Sequence, residues 1–256
     1  MKVVIIGSGK VAVFFAKKLS SGGAEVVQVF GRRLEAITGL AASVNAGPIN
    51  NFDQLDKTAD LYLIAVSDDA IAEVASQMPP VNGIVVHTSG AKPLSILNGK
   101  FEHSGVIYPL QSINKYTTDQ VEVPVLLESN LEEDKTLLSE TAQLISPQFQ
   151  FLNSTERLKL HVSAVVVNNF TNYLYSLTHQ FCEEQGVDFK LLMPIIAETG
   201  NRLYHFSPEI LQTGPAIRKD VGTINQHLSI LSSSEELSRV YRLLTDEIIK
   251  SSVFSS

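Results

Sequence analysis

The sequence predicts an α/β domain on a doubly wound, mostly parallel sheet, followed by an all-helical second domain. Three observations carry this expectation. Through roughly the first 110 residues, short apolar runs alternate with helical spacing, the pattern of βα units. A glycine-rich turn joins the first apolar run to the first helical pattern. After Phe151 the alternation stops and helical spacing takes over.

The expected strands are Val3–Ile6, Val26–Phe30, Leu61–Val66, Ile84–His87, Val106–Tyr108 and Val123–Leu127. The first five are near-continuously apolar, as parallel strands covered on both faces require. Helical spacing occupies Val11–Leu19, Leu34–Ser43 and Ala70–Gln77, with Asp68 or Asp69 as the natural cap of the third. Glu132, Glu133 and Asp134 suit the positive end of a helix that runs to about Ile145. Ser154 or Thr155 then caps an uninterrupted helical pattern ending near Gln185, where Gly186 supplies a stop. At ~1.5 Å per residue, its roughly thirty residues span about 45 Å. Further helices are expected over Phe189–Leu203, kinked at Pro194, over Val221–Leu231 and over Glu235–Ser251. The division therefore falls between an α/β domain, 1–152, and a helical domain, 153–256.

Composition narrows the class. The 256 residues are 44% hydrophobic and 18% charged, enough apolar matter for a core and too little charge for disorder. A net charge of −7 argues against nucleic acid or anionic membrane as partners. The single cysteine, Cys182, excludes an internal disulfide and any multi-cysteine cluster. No two of the six histidines fall at the spacing of a helical metal pair, so no metal is expected. Cys182, Met78 and Met193 read as packing residues. No apolar stretch approaches the ~18 residues that cross a bilayer, and the short run after Met1 is not a signal peptide. The expectation is a soluble cytoplasmic protein.

Gly7-Ser8-Gly9-Lys10-Val11-Ala12 fits G-x-G-x-x-A, directly after a strand and opening a helix. The first glycine permits the tight turn, the second lets backbone N–H groups approach a pyrophosphate, and Ala12 lets helix and strand pack closely. The helix start adds free donors and partial positive charge. This is the fingerprint of a Rossmann-like dinucleotide site; a tight turn that binds nothing would need similar residues. NAD sites place an acid about 20 residues past the glycines. Here the second strand ends Val29-Phe30-Gly31-Arg32-Arg33, and the nearest acid, Glu25, is at its other end. Arg32 and Arg33 suit a 2′-phosphate instead, which favours NADP. Two solvated arginines are the alternative.

These motifs, with Ala65-Val66-Ser67-Asp68-Asp69 and His87-Thr88-Ser89-Gly90, resemble the NADP oxidoreductase family whose first domain is similar to deazaflavin-dependent NADP reductase and pyrroline-5-carboxylate reductase. The second half supports the resemblance through Leu160-His161, Asn168-Asn169-Phe170, the run Thr213–Asp220, and His227-Leu228. It implies a Rossmann-like domain plus a helical domain similar to that of 6-phosphogluconate dehydrogenase relatives. Two departures stand out. Where the family tends to have His-Pro-Leu-Gln, this chain has Tyr108-Pro109-Leu110-Gln111. Where Arg-Gly-Asp is usual, it has Arg218-Lys219-Asp220, which adds bulk to a glycine-preferring loop.

The expected cofactor-binding residues are Gly7, Ser8, Gly9, Lys10, Val11, Gly31, Arg32, Arg33, Val66, Ser67, Ser89 and Gly90. The last two end a strand beside the nicotinamide position, although a plain strand-to-loop turn uses the same residue types. Tyr108, Asn168 and Arg218 are candidate substrate contacts; a half-buried aromatic and ordinary surface charges are the plainer alternatives. For proton donation, His161 stands one turn past the cap of the long helix. On unbroken α spacing it shares a stripe with Val165, Asn168 and Asn172, with Asn169 on its shoulder. Related hydroxyacid dehydrogenases use a lysine and asparagine on the corresponding helix, so the resemblance implies similar roles for His161 and Asn169. Ser89, by its hydroxyl at a strand end, can donate a hydrogen bond to a substrate oxygen. A core or interface histidine satisfied by amides is the alternative. Lys159 is a rival donor, about 200° around the helix from His161.

The expected function is an NADP-dependent oxidoreductase that moves hydride between nicotinamide and a small carbonyl or imine substrate bound between the domains. It is expected to be a homodimer. A dinucleotide-binding sensor or scaffold that catalyses nothing is the alternative, because fold does not fix function.

Overall fold

The computed structural model describes residues 1–114, 116 and 122–253. It divides into two compact units, Met1–Asn168 and Asn169–Ser256. The serine-rich end beyond residue 253 lies outside the described residues.

The first unit is built on an eight-stranded sheet. Its strands are β1 (Lys2–Ile6), β2 (Glu25–Phe30), β3 (Gly47–Ile49), β4 (Leu61–Ile64), β5 (Ile84–His87), β6 (Ser104–Pro109), β7 (Val125–Ser129) and β8 (Phe149–Phe151). They lie in the order β3-β2-β1-β4-β5-β6-β7-β8, all parallel except the β6–β7 pair. Strands alternate their side chains, so a strand buried on both faces must be apolar throughout. In β1, Val3 and Ile5 join one cluster with Phe15, Ala16 and Leu19. Val4 and Ile6 join the opposite one with Tyr62, Ile71 and Met78. Strand order reverses at β1, which pairs with β2 on one side and β4 on the other. A crevice opens at the carboxyl ends of strands at such a switch point.

The helices of this unit are α1 (Lys10–Ser21), α2 (Leu34–Ser43), α3 (Ile71–Gln77), α4 (Lys135–Gln143) and α5 (Ser154–Ala164). The starts of α3, α4 and α5 differ from the expected ones for physical reasons. Asp68 and Asp69 make no capping bond; they sit in a 3-10 turn ahead of α3, and Asp69 reaches Lys92 at 3.0 Å instead. Glu132 meets Lys135 at 2.6 Å, and α4 begins only at Lys135. Asn153, not Ser154 or Thr155, caps α5 in a reciprocal box with Glu156. The Ser154 hydroxyl is engaged elsewhere, on Glu128 at 2.9 Å and the Leu94 N–H at 2.9 Å.

The long helical pattern is not one uninterrupted α-helix. A π-helical segment, Val165–Phe170, follows α5, and the division between units falls inside it. α6 (Thr171–Glu184) then opens the second unit. This unit continues with α7 (Met193–Arg202), α8 (Pro208–Leu211), α9 (Val221–Ile230) and α10 (Glu235–Val253). Pro194 kinks nothing: it sits in the first turn of α7, where its missing N–H would have had no partner. Asp220 caps α9 by accepting from the Thr223 N–H at 3.1 Å. Cys182 and Met78 are buried, as packing residues are, whereas Met193 is 51% exposed. Among the described residues no helix is long and apolar enough to cross a membrane.

Candidate active site

The β1–α1 turn shows why Gly7 must be glycine. Gly7 has φ of 141°, and a Cβ there would lie 2.2 Å from the Ala65 carbonyl oxygen. Gly9 caps α1 in an extended conformation with no side-chain bond, and a Cβ on it would meet nothing within 4 Å. No side chain caps the start of α1, and its first turn carries no acid. This turn borders a cleft of about 590 Å³. Of the predicted cofactor residues, Gly7, Ser8, Gly9, Lys10, Val11, Gly31, Arg32, Val66 and Ser67 line it. Arg33, Ser89 and Gly90 do not; Arg33 occupies the cap position of α2. Arg32 and Arg33 are exposed, with no acid partner among the described residues. Glu73, Val74 and Gln77 on α3, with Phe30, Ala65, Ala70 and Ile113, complete the lining. Positions 73 and 77 share a helical face pointing toward the cleft, a spacing signal available in the sequence.

A second constellation lies on the same carboxyl edge of the sheet. β5 and β6 run parallel with His87 level with Val106, so the residues that follow them, Ser89 and Tyr108, emerge at the same edge. The Tyr108 hydroxyl is 3.0 Å from His161 Nδ1, and the rings meet edge to face at 5.8 Å. Gly90 lies beneath them: a Cβ there would be 2.6 Å from Tyr108 Cζ and 2.7 Å from His161 Nδ1. Burial holds the Tyr108 phenol above its ordinary pKa; the Asp68 carboxylate adds to this and the Arg157 cation opposes it. Ser89 is 5% exposed, and its Oγ accepts from the Ala91 and Lys92 N–H groups at 3.1 and 3.0 Å. Its own O–H donates to no acceptor among the described residues.

Beneath this pair lie buried groups that sequence reasoning missed. His87 has no exposed surface, and its Nδ1 accepts from the Ser89 N–H at 3.2 Å. Burial and then the Arg157 cation push its pKa down to about 4. Arg157 is 1% exposed and forms an ion pair with Glu128. Charged residues are read as surface by default, so no pattern in the sequence marked it.

Asn168 is exposed within the π-helical segment, Asn169 is exposed at the start of the second unit, and Arg218 is exposed on the loop before α9. Because the helix is not α-helical over Val165–Phe170, the α spacing that aligned His161 with Asn168 and Asn172 does not carry past Val165. At the opposite end of the sheet, His103, Glu133 and Asp134 bring ligand-type atoms within 4.8 Å of one another. His103 Nδ1 is already bonded to Asp134 at 2.8 Å, which raises the histidine pKa, so the group reads as an ion pair.

A glycine turn, a cleft at the switch point and a tyrosine–histidine pair on the same strand edge define a dinucleotide-binding protein of the oxidoreductase class. Residues 2–89 match the family NADP oxidoreductase coenzyme F420-dependent, and residues 123–248 match the Domain of unknown function (DUF2520). A candidate NADP oxidoreductase from Bacteroides fragilis shares 32% identity over 97% of this chain and 98% of that one, with a TM-score of 0.88. The chain belongs to this family of NADP oxidoreductases, whose cofactor is NADP(H). Its fold is also that of a reductive aminase from Aspergillus terreus, at 10% identity over 98% of this chain and 94% of that one and a TM-score of 0.76. The same holds for a 1-pyrroline-5-carboxylate reductase from Streptococcus pyogenes, at 15% identity over 98% of both chains and a TM-score of 0.67. No curated protein matches the chain.

Proposed function

We propose that the protein reduces a small carbonyl or imine substrate with NADPH, and that Tyr108 and His161 together deliver the proton. The observation that carries this reading is the 3.0 Å contact between the Tyr108 hydroxyl and His161 Nδ1 over Gly90. The residues present suit the cofactor. The open space at Gly9 and the helix start without a side-chain cap fit a pyrophosphate. Arg32, which lines the cleft, and Arg33 beside it are exposed and fit a 2′-phosphate. When bound, NADPH supplies the hydride.

The chain supplies the proton. If Tyr108 donates to Nδ1, neutral His161 carries its own proton on Nε2, which has no other partner among the described residues. As Nε2 gives that proton to the substrate oxygen or nitrogen, Nδ1 takes one from the phenol. The net donor is Tyr108, left as a phenolate, and the imidazole is unchanged. Tyr108 and His161 both lie in the first unit, and the substrate atom that takes the proton is proposed to sit beside that pair. Asn168, Asn169 and Arg218 are proposed as substrate contacts because amides and guanidinium grip oxygens and carboxylates. The reductive aminase is described with NADPH and ethyl-5-oxohexanoate, and the Streptococcus enzyme by name acts on 1-pyrroline-5-carboxylate. Both names favour screening ketones and cyclic imines. A cytoplasmic homodimer completes the reading.

The test is NADPH oxidation with 2-oxo acids, aldehydes, ketones and cyclic imines. Once turnover is found, His161→Asn is expected to cut it by about a hundredfold or more, leaving NADPH affinity nearly unchanged. In calorimetry, NADPH is expected to bind more tightly than NADH, with the preference lost in an Arg32→Ala/Arg33→Ala double variant. Unchanged turnover in His161→Asn would remove the pair from the mechanism.

A further inference from the structure

We propose that Arg157, paired with Glu128 inside the first unit, is a positioning residue for the Tyr108–His161 pair. It does not touch the reacting atoms. It holds the helix bearing His161 against the turn bearing Ser89 and Gly90, and so sets the distance at which the two rings meet. Its catalytic consequence rests on the proposed role of that pair; its geometric consequence does not.

The argument begins with what the arginine joins. Arg157 lies four residues before His161, on the same face of α5. One end of its guanidinium pairs with Glu128 on β7, and the other donates to the Lys92 carbonyl at 2.7 Å. Ser154, at the start of the same helix, donates to Glu128 and accepts from the Leu94 N–H at 2.9 Å. Glu128 also accepts from the Ser154 N–H at 3.0 Å. Helix, strand and the 89–94 loop are thus tied through one buried ion pair. His87 adds a tie at the loop's beginning, through the Ser89 N–H at 3.2 Å.

The loop so held is at closest approach. Gly90 would overlap both rings if it carried a Cβ, so a shift of a few tenths of an ångström between loop and helix opens or closes the pair. Stability alone does not account for the arrangement. A buried ion pair is weak evidence of stabilisation, because apolar side chains of similar volume often serve as well or better. What an apolar residue cannot provide is a planar fork with directed bonds to two other elements.

The test uses the full chain. Arg157→Met removes the fork, and Glu128→Gln in the same chain removes the charge that would otherwise stay buried without a partner. In wild type, NMR of the His161 ring nitrogens is expected to show one tautomer, with Nδ1 hydrogen-bonded. In the double variant that signature is expected to give way to a tautomer mixture, while NADPH affinity stays within about twofold and kcat, once a substrate is found, falls about tenfold or more. Arg157→Lys, which keeps the charge and loses the fork, is expected to move the signature the same way and decides the matter if the double variant does not fold. A moved signature supports the positioning role whether or not any substrate is turned over. An unchanged His161 signature in the folded variant overturns it, even where melting temperature drops. Absence of turnover in wild type counts against the proposed function and not against this inference.

Discussion

At the end of β5 a histidine with no exposed surface accepts an N–H from Ser89, so His87 is held neutral from two directions. Its folded pKa, about 4, lies below the usual 6.5. Between those values the unfolded chain binds a proton that the folded chain does not, so stability falls as pH drops through that window. The shift corresponds to roughly 3 kcal/mol, complete by about pH 4. Urea denaturation of wild type and His87→Asn at several pH values between 7 and 4 checks this: the wild type is expected to lose the larger share of its stability on acidification. Parallel slopes would show that His87 is not the acid-sensitive group. This residue, like Arg157, was not legible in the sequence as a functional feature. His87 read as the end of an apolar strand, and the network below it joins residues far apart in the chain. Tyr108 and His161 were each singled out by residue type and by position at a strand end or helix start. Their contact spans 53 residues, and no local spacing encodes it.

Elements whose signal is periodic were read nearly to the residue: α2 occupies Leu34–Ser43 as expected, and β5 occupies Ile84–His87. Those defined only by their partners were not. β3 and β8 are three residues each, and β3 contains Gly47-Pro48, a poor strand sequence tolerated at a sheet edge. The π-helical segment Val165–Phe170 follows a stretch whose side chains fit α spacing equally well, so its different hydrogen bonding leaves no mark in composition. The turn before α9 is different, because there the sequence does carry a signal. The resemblance marks position 219 as glycine-preferring, and Lys219 has φ of 55°, in the left-handed region. A side chain there costs about 1 kcal/mol relative to glycine. Lys219→Gly is expected to raise unfolding stability by about that amount, read from denaturant midpoints at unchanged slope. Lys219→Ala keeps the Cβ and is expected to change little; a gain in alanine equal to that in glycine would assign the effect to lost charge instead of backbone strain.

Apolar surface is distributed unevenly over the molecule. Among the described residues, every exposed large hydrophobic side chain except Leu34 and Tyr116 lies at or beyond Leu158. In the second unit Leu191 is 78% exposed, Ile195 64% and Tyr204 86%. The first unit buries its apolar strands on both faces, whereas the helices of the second leave much of theirs uncovered. Monomeric proteins rarely expose contiguous apolar patches beyond a few hundred Å². Covering one such side chain returns about 1.5–3 kcal/mol, so a handful of them outweighs the cost of association. A second copy offers the same surface, and closed two-fold pairing is the commonest way such a surface is buried. The expected outcome is a homodimer at micromolar concentration in light scattering. Leu191→Glu/Ile195→Glu places two charges one turn apart on that exposed surface, and is expected to shift the population toward monomer while NADPH affinity, set in the first unit, stays unchanged. Monomeric wild type under those conditions would mean that the helical surface is covered by something other than a second copy.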